Sequence, residues 1–172
     1  AAAPGVPVVV DPVMVAKGGA RLLAADTVDV VREILLPMAT VLTPNLPEAE
    51  TLIGKTIASE ADMERAAMAL LELGPQAVLL KGGHFDSDPV IDVLATAQGL
   101  TRFTSPRIQS TNTHGTGCTL ASAIATGIAQ GMELHAAVER ARAYVLKAIA
   151  TAPGLGSGHG PLNHGHTVAD AD

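Results

Sequence analysis

The chain has no tryptophan, one tyrosine and two phenylalanines. With rings this scarce the core must be aliphatic, and the stacking platforms that bind single-stranded nucleic acids are missing. Basic residues are also few, eleven against seventeen acidic ones. The resulting net charge of −6 has the wrong sign for a protein that grips phosphate backbones. The single cysteine, Cys118, excludes a disulfide framework and a cysteine zinc site, and makes a reducing cytoplasm the default compartment. No membrane-length apolar run occurs: the longest uncharged stretch, between Arg107 and Glu133, is broken by Gln109, Asn112, Thr113, His114 and several glycines. Its second half, Leu120 to Ile128, is small and apolar on nearly every face and reads as an interior helix. The first residues, Ala1 to Gly5, lack the basic and apolar regions of a secretion signal.

What is present is a chain of 172 residues, 48% of them hydrophobic, enough for one well-buried domain over 1–172 with a Gly/His-rich tail at 154–172. Short apolar runs at Val6–Val10, Thr40–Thr43 and Ala77–Lys81 read as strands. Helical spacing covers Asp26–Leu36, with Asp26 as N-cap, and Ser59–Leu73 after a Ser-x-x-Asp opening. Val90–Thr96 and Leu100–Phe103 predict an antiparallel pair joined near Gln98-Gly99, and helices are predicted over Gly117–Ala129 and Leu134–Ala150. This alternation predicts an α/β fold: a mainly parallel sheet with helices on both faces and an antiparallel edge. In such sheets ligands sit beyond the carboxyl ends of the strands.

The loops at those ends hold the chemistry. In Thr111-Asn112-Thr113-His114-Gly115-Thr116-Gly117-Cys118-Thr119, glycines lead directly into an apolar helix, so several backbone N–H groups can converge on an anion. The alternative is a glycine turn needed for close helix–strand packing. Neither a Walker A loop nor a dinucleotide fingerprint is present, since no Gly-Lys-Ser/Thr follows and Leu120 stands at the third glycine position. Cys118, in the first helical turn, is either a thiolate favoured by the helix dipole or a small apolar residue under the loop. Asn45 and Glu48 have capping-box spacing, and equally are oxygen donors suited to Mg²⁺. Asp11, before Pro12, is a turn-former or a ligand-facing carboxylate, and Lys81 is a solvent-facing strand end or a phosphate partner. His159, His164 and His166 lack the spacing of a metal set and could instead line a nucleotide pocket.

In order along the chain stand Asp-Pro-Val-Met-Val-Ala-Lys-Gly-Gly (11–19), Thr-Pro-Asn-Leu-Pro-Glu-Ala-Glu (43–50), Lys-Gly-Gly-His (81–84), Thr-Asn-Thr-His-Gly-Thr-Gly-Cys-Thr (111–119) and Gly-His-Gly-Pro-Leu-Asn-His (158–164). Together they closely resemble the bacterial hydroxymethylpyrimidine/phosphomethylpyrimidine kinases of thiamine biosynthesis, members of the ribokinase-like superfamily. The resemblance implies a three-layer α/β/α fold and ATP-dependent phosphorylation of 4-amino-5-hydroxymethyl-2-methylpyrimidine and then of its monophosphate. It implies an anion hole at Gly115, Thr116, Gly117 and Cys118, with Cys118 at the substrate hydroxyl. Asn45 and Glu48 become the Mg²⁺–phosphate motif, Asp11 and Lys81 face the phosphates, and Val13 lies beside the pyrimidine. Gly158 and His159, within the tail from 156 to 164, border the adenine. A cytoplasmic homodimer is implied, with no nucleic-acid or membrane partner. A vitamin B6 kinase, a non-catalytic nucleotide-binding remnant and a thiol enzyme using Cys118 remain as alternatives. Family members carry an N-terminal portion that this chain is expected to lack, about a third of a usual domain. Assayed with ATP and the pyrimidine, the 172 residues alone are therefore expected to consume ATP weakly or not at all; robust turnover would refute that expectation.

Overall fold

The computed structural model describes residues 5–14 and 25–168. The expected Lys17-Gly18-Gly19 loop and the side chain of Asp26 lie outside what is described. The chain divides into two compact units, Ala1–Arg107 and Ile108–Asp172.

The first unit is a five-stranded mixed sheet in sequential order: β1 (Val9–Val10), β2 (Val41–Leu42), β3 (Ala77–Leu80), β4 (Val90–Thr96) and β5 (Gly99–Ser105). β1, β2 and β3 run parallel, while β4 and β5 add two antiparallel pairings. The first two strands are shorter than the sequence predicts. Val6 and Val8 fall outside β1, although the Val8 carbonyl still accepts from the amides of Thr40 and Val41. The β4–β5 hairpin runs from Thr96 opposite Gly99 to Val90 opposite Ser105, two residues longer than Phe103 suggested.

Between β1 and β2 the expected helix changes character. α1 (Ala25–Val30) already contains Asp26, so that residue lies inside the helix rather than capping it. The chain then widens into a π turn at Val31–Leu35 and tightens into a 3₁₀ turn at Leu36–Met38, where Pro37 cannot donate a hydrogen bond. Between β2 and β3 stand α2 (Leu46–Ile53) and α3 (Glu60–Leu71). Ser59 caps α3 by accepting from the Asp62 amide, as its spacing predicts, and the helix ends two residues before Leu73. Met63, Ala66, Ala67 and Leu70 of α3 join Leu46, Ala49 and Leu52 of α2 over Leu42, Val78, Leu80, Val93 and Ala95, forming an aliphatic core. The alternate residues Val41, Leu79 and Leu94 are buried on the other face.

The second unit is a helix pair, α4 (Thr116–Ala129) and α5 (Leu134–Ala150), with the tail bound to it. Gly127 allows their close approach, because a Cβ there would stand 2.8 Å from the Ala137 Cβ. α4 is not interior on all sides: Leu120, Ala121, Ile124 and Gly127 are buried, but Cys118, Ser122 and Thr126 are exposed. Small residues such as alanine, glycine and serine do not by themselves decide which face turns inward. Among the described residues no helix is long and apolar enough to cross a membrane.

At the end of β3, Gly82 is locked in place. A Cβ there would stand 2.0 Å from the Ile91 carbonyl oxygen and 3.0 Å from the Met63 Cε. Gly82→Ala must push two strands apart, and is expected to lower unfolding stability by about 3 kcal/mol in urea titration, at the upper end of overpacking costs.

Candidate functional site

Asp11, Asn45 and Lys81 directly follow or lie just beyond the carboxyl ends of β1, β2 and β3. The parallel register brings them together, because residues at the same end of adjacent parallel strands are neighbours. Asp11 Oδ1 accepts from the Lys81 ammonium at 2.9 Å and from the Thr43 hydroxyl at 3.2 Å. The side chains of Lys81 and Asp11 keep only 15% and 13% of their exposure, so the pair is largely withdrawn from water yet still reachable. The Lys81 amide donates to the Pro44 carbonyl at 2.8 Å, which extends the β2–β3 ladder and fixes where the lysine starts.

Asn45 and Glu48 form the full capping box of α2: the Glu48 amide donates to Asn45 Oδ1 at 2.9 Å, and the Asn45 amide donates to Glu48 Oε2 at 2.8 Å. Pro47 in the first turn adds a fixed φ. Glu48 is buried, and burial raises its carboxyl above the ordinary range; the Asn45 amide and the Lys81 charge lower it, while the Asp11 charge raises it further. A buried carboxylate whose proton is held by desolvation gains from a cation beside it. Oε2 and the Asn45 Oδ1 serve the cap, and Glu48 and Asn45 both offer hard oxygens of the kind that suits Mg²⁺, which accepts few carboxylates and keeps waters. The donor set therefore fits a magnesium ion bound directly or through water. Val13, placed near this edge by the turn in which its amide donates to the Asp11 carbonyl, is exposed, whereas Met14 is buried.

In the second unit the motif 111–119 forms a shaped turn. Gly115 is the N-cap of α4 in the left-handed conformation (φ 82°), which favours glycine, and no side chain caps the helix. The Thr119 amide closes the first helical bond, to the Gly115 carbonyl at 2.9 Å. The amides of Thr116 and Gly117 precede it, in the turn where a helix has no internal acceptors. The Thr116 and Thr119 hydroxyls both donate to carbonyls, of Thr113 and Gly115, so neither blocks this end. Cys118 is exposed in the first turn, which removes the reading that buries it under the loop.

The tail is tied down. His114 donates its amide to the Gly160 carbonyl, Leu162 is buried, and Asn163 donates its amide to the Ala148 carbonyl. His166 packs on Tyr144 with ring centroids 4.4 Å apart. Gly160 has no room for a side chain against Asn112. Gly158 and His159 remain exposed on the outer run of this segment. Among the described residues no group of three His, Cys, Asp or Glu could hold a metal ion.

Three residues carry roles that the motifs did not flag. Thr43, fully buried, orients Asp11; Asp92 in β4 accepts from the Gly82 amide at 2.9 Å; Arg107 binds the loop after Gly83. Their partners are 32, 10 and about 20 residues away, beyond any local spacing rule. The polar residue inside an apolar strand, Asp92, was the one signal available.

A family model described as phosphomethylpyrimidine kinase matches residues 2–163. The chain is 55% identical over 157 residues to the thiamine biosynthesis bifunctional protein ThiED of Geobacter sulfurreducens, covering 91% of this chain and 32% of that protein. It is 46% identical to the hydroxymethylpyrimidine/phosphomethylpyrimidine kinase of Bacillus subtilis, covering 91% and 58%. Among solved structures, the pyridoxal kinase of Staphylococcus aureus with AMP-PCP superposes with a TM-score of 0.84 at 35% identity, over 93% of this chain and 58% of that one. The fold is thus ribokinase-like, and the chain spans less than two thirds of these proteins' length.

Glu48 gives a pH signature. Between the ordinary carboxylate pKa and its raised folded value, the folded chain holds a proton that the unfolded chain releases, so stability falls as pH rises through that window. Glu48→Gln keeps an oxygen for the Asn45 amide and removes the buried charge; its urea midpoint at pH 7 is expected to equal or exceed the wild type, with that pH slope gone. Glu48→Ala keeps the Asn45 cap but leaves the Asn45 amide without its carboxylate partner, and is expected to cost about 1 kcal/mol.

Proposed function

The chain belongs to the phosphomethylpyrimidine kinase family, and from that premise we propose that it acts in ATP-dependent transfer of a phosphoryl group to the hydroxymethyl oxygen of 4-amino-5-hydroxymethyl-2-methylpyrimidine, and to the phosphate of its monophosphate. The observation that carries the reading is the convergence of Asp11, Glu48 and Lys81 at the carboxyl ends of three adjacent parallel strands, where open α/β sheets bind ligands. A phosphoryl transfer of largely dissociative character asks the protein to position groups and offset charge more than to form bonds.

In the first unit, Lys81 offers its ammonium to phosphate oxygens, and Asp11 with Thr43 holds that ammonium at its post. Glu48 and Asn45 would hold Mg²⁺, which when bound offsets polyphosphate charge. Val13 is assigned to the pyrimidine. In the second unit, the amides of Gly115, Thr116 and Gly117 are assigned to charge on the moving phosphoryl group. As the acceptor oxygen bonds to phosphorus and the bond to the leaving ADP oxygen breaks, the hydroxyl proton passes to the Cys118 sulfur. Gly158 and His159 are assigned to the adenine. A cytoplasmic homodimer belongs to the same reading.

A second reading, phosphorylation of pyridoxal, is favoured by the likeness to the Staphylococcus aureus pyridoxal kinase. Turnover compared on the pyrimidine and on pyridoxal separates the two. For the site itself, Lys81→Ala is expected to lower whatever turnover the chain has and to weaken its binding of Mg²⁺ with AMP-PCP by about tenfold or more in titration calorimetry. Cys118→Ser is expected to lower kcat with KM for ATP little changed. Unchanged rates in both variants would overturn the assignment.

A further inference from the structure

We propose that Arg107 is a positioning residue, whose guanidinium holds the loop 83–88 in the form in which the Lys81-Gly82-Gly83 turn receives nucleotide phosphates. The inference rests on the kinase reading and adds a residue that touches no substrate. Arg107 Nε donates to the Ser87 carbonyl at 2.9 Å. Both terminal nitrogens lie 3.4 Å from the Gly83 carbonyl, and Nη2 also donates to the Phe85 carbonyl. The Arg107 amide donates to Asp88 Oδ1 at 3.0 Å. One planar fork thus gathers three carbonyls of a six-residue loop in a fixed, spread geometry that a lysine's compact ammonium does not reproduce.

The stem of the same loop is fixed from the sheet. The Lys81 amide is on Pro44, the Gly82 amide is on Asp92, and the Phe85 amide closes a turn on the Gly82 carbonyl at 3.1 Å. The stem is therefore held through its amides, and the loop from Gly83 to Ser87 through its carbonyls. Turning the Gly83, Phe85 and Ser87 carbonyls onto a cation also turns their negative ends away from an approaching polyphosphate. Gly83 itself is exposed, with nothing within 4 Å of where a Cβ would stand, so the backbone there is open to a ligand.

The test is titration calorimetry of the chain with Mg²⁺ and the non-transferable analogue AMP-PCP, beside thermal unfolding. Arg107→Lys keeps the charge but not the fork, and is expected to weaken binding about tenfold or more while Tm stays within a few degrees. Should that variant fold poorly, Arg107→Ala with added methylguanidine is the second: recovery of affinity supports the role, and a folded variant that is not rescued overturns it. A wild type that binds and an Arg107→Lys variant that binds equally overturn the positioning role alone. A wild type that binds no nucleotide overturns the kinase reading and this role with it. In the wild type without nucleotide, the amides of Phe85 and Arg107 are expected to exchange slowly with deuterium; fast exchange at both would overturn a preformed loop.

Discussion

The contact between the Lys81 ammonium and the Asp11 carboxylate is the constraint on which the first unit's site depends. Each residue is the first beyond its own strand, and the two strands are separated by β2. The ion pair therefore spans three strand ends, and Thr43, the first residue past the middle strand, fills the gap with its hydroxyl. Withdrawn from water, either charge alone would be costly, so each keeps the other in place. A lysine held in this way is oriented beforehand, and only part of its capacity is used by the carboxylate, since an ammonium has three donors.

Glu48 shows how one group can serve structure and chemistry together. Its two oxygens allow a division of labour: Oε2 closes the capping box, and the carboxylate as a whole carries the charge that burial penalises. The cap aims the side chain, so the helix that needs the cap also fixes where the proposed metal donor stands. The capping reading of Asn-x-x-Glu is met, and the proposed Mg²⁺ reading is compatible with it. The second unit follows a different rule: a glycine in the left-handed conformation ends the loop and leaves the first turn of α4 without a side-chain cap. The N–H groups that a serine or aspartate would have satisfied have no N-cap side chain to donate to.

Much of the fold was legible because it is local. The Ser59 cap, the β4–β5 hairpin around Gln98-Gly99 and the exact span of α5 follow from spacing and turn chemistry. The shortness of β1 and the π and 3₁₀ turns after α1 were not legible, because apolar periodicity reports which residues can be buried and not where a ladder stops. The exposed stripe on α4 escaped for the same reason. At the site, Asp11, Asn45, Glu48, Lys81 and the 111–119 turn were marked by residue type beside glycine and proline. Thr43, Asp92 and Arg107 were not, since their significance lies wholly in distant partners.

The sequence by itself determined the elements, their alternation and the polar residues placed just past the strands, since each depends on neighbours a few positions away. Only the tertiary structure decided that Asp11 meets Lys81 across 70 residues, that Asp92 holds the stem and Arg107 the carbonyls of one loop, and that Gly82 has no space for a methyl group. The reason is register: which residues face each other is set by how strands align, and that alignment is a property of the packed chain as a whole.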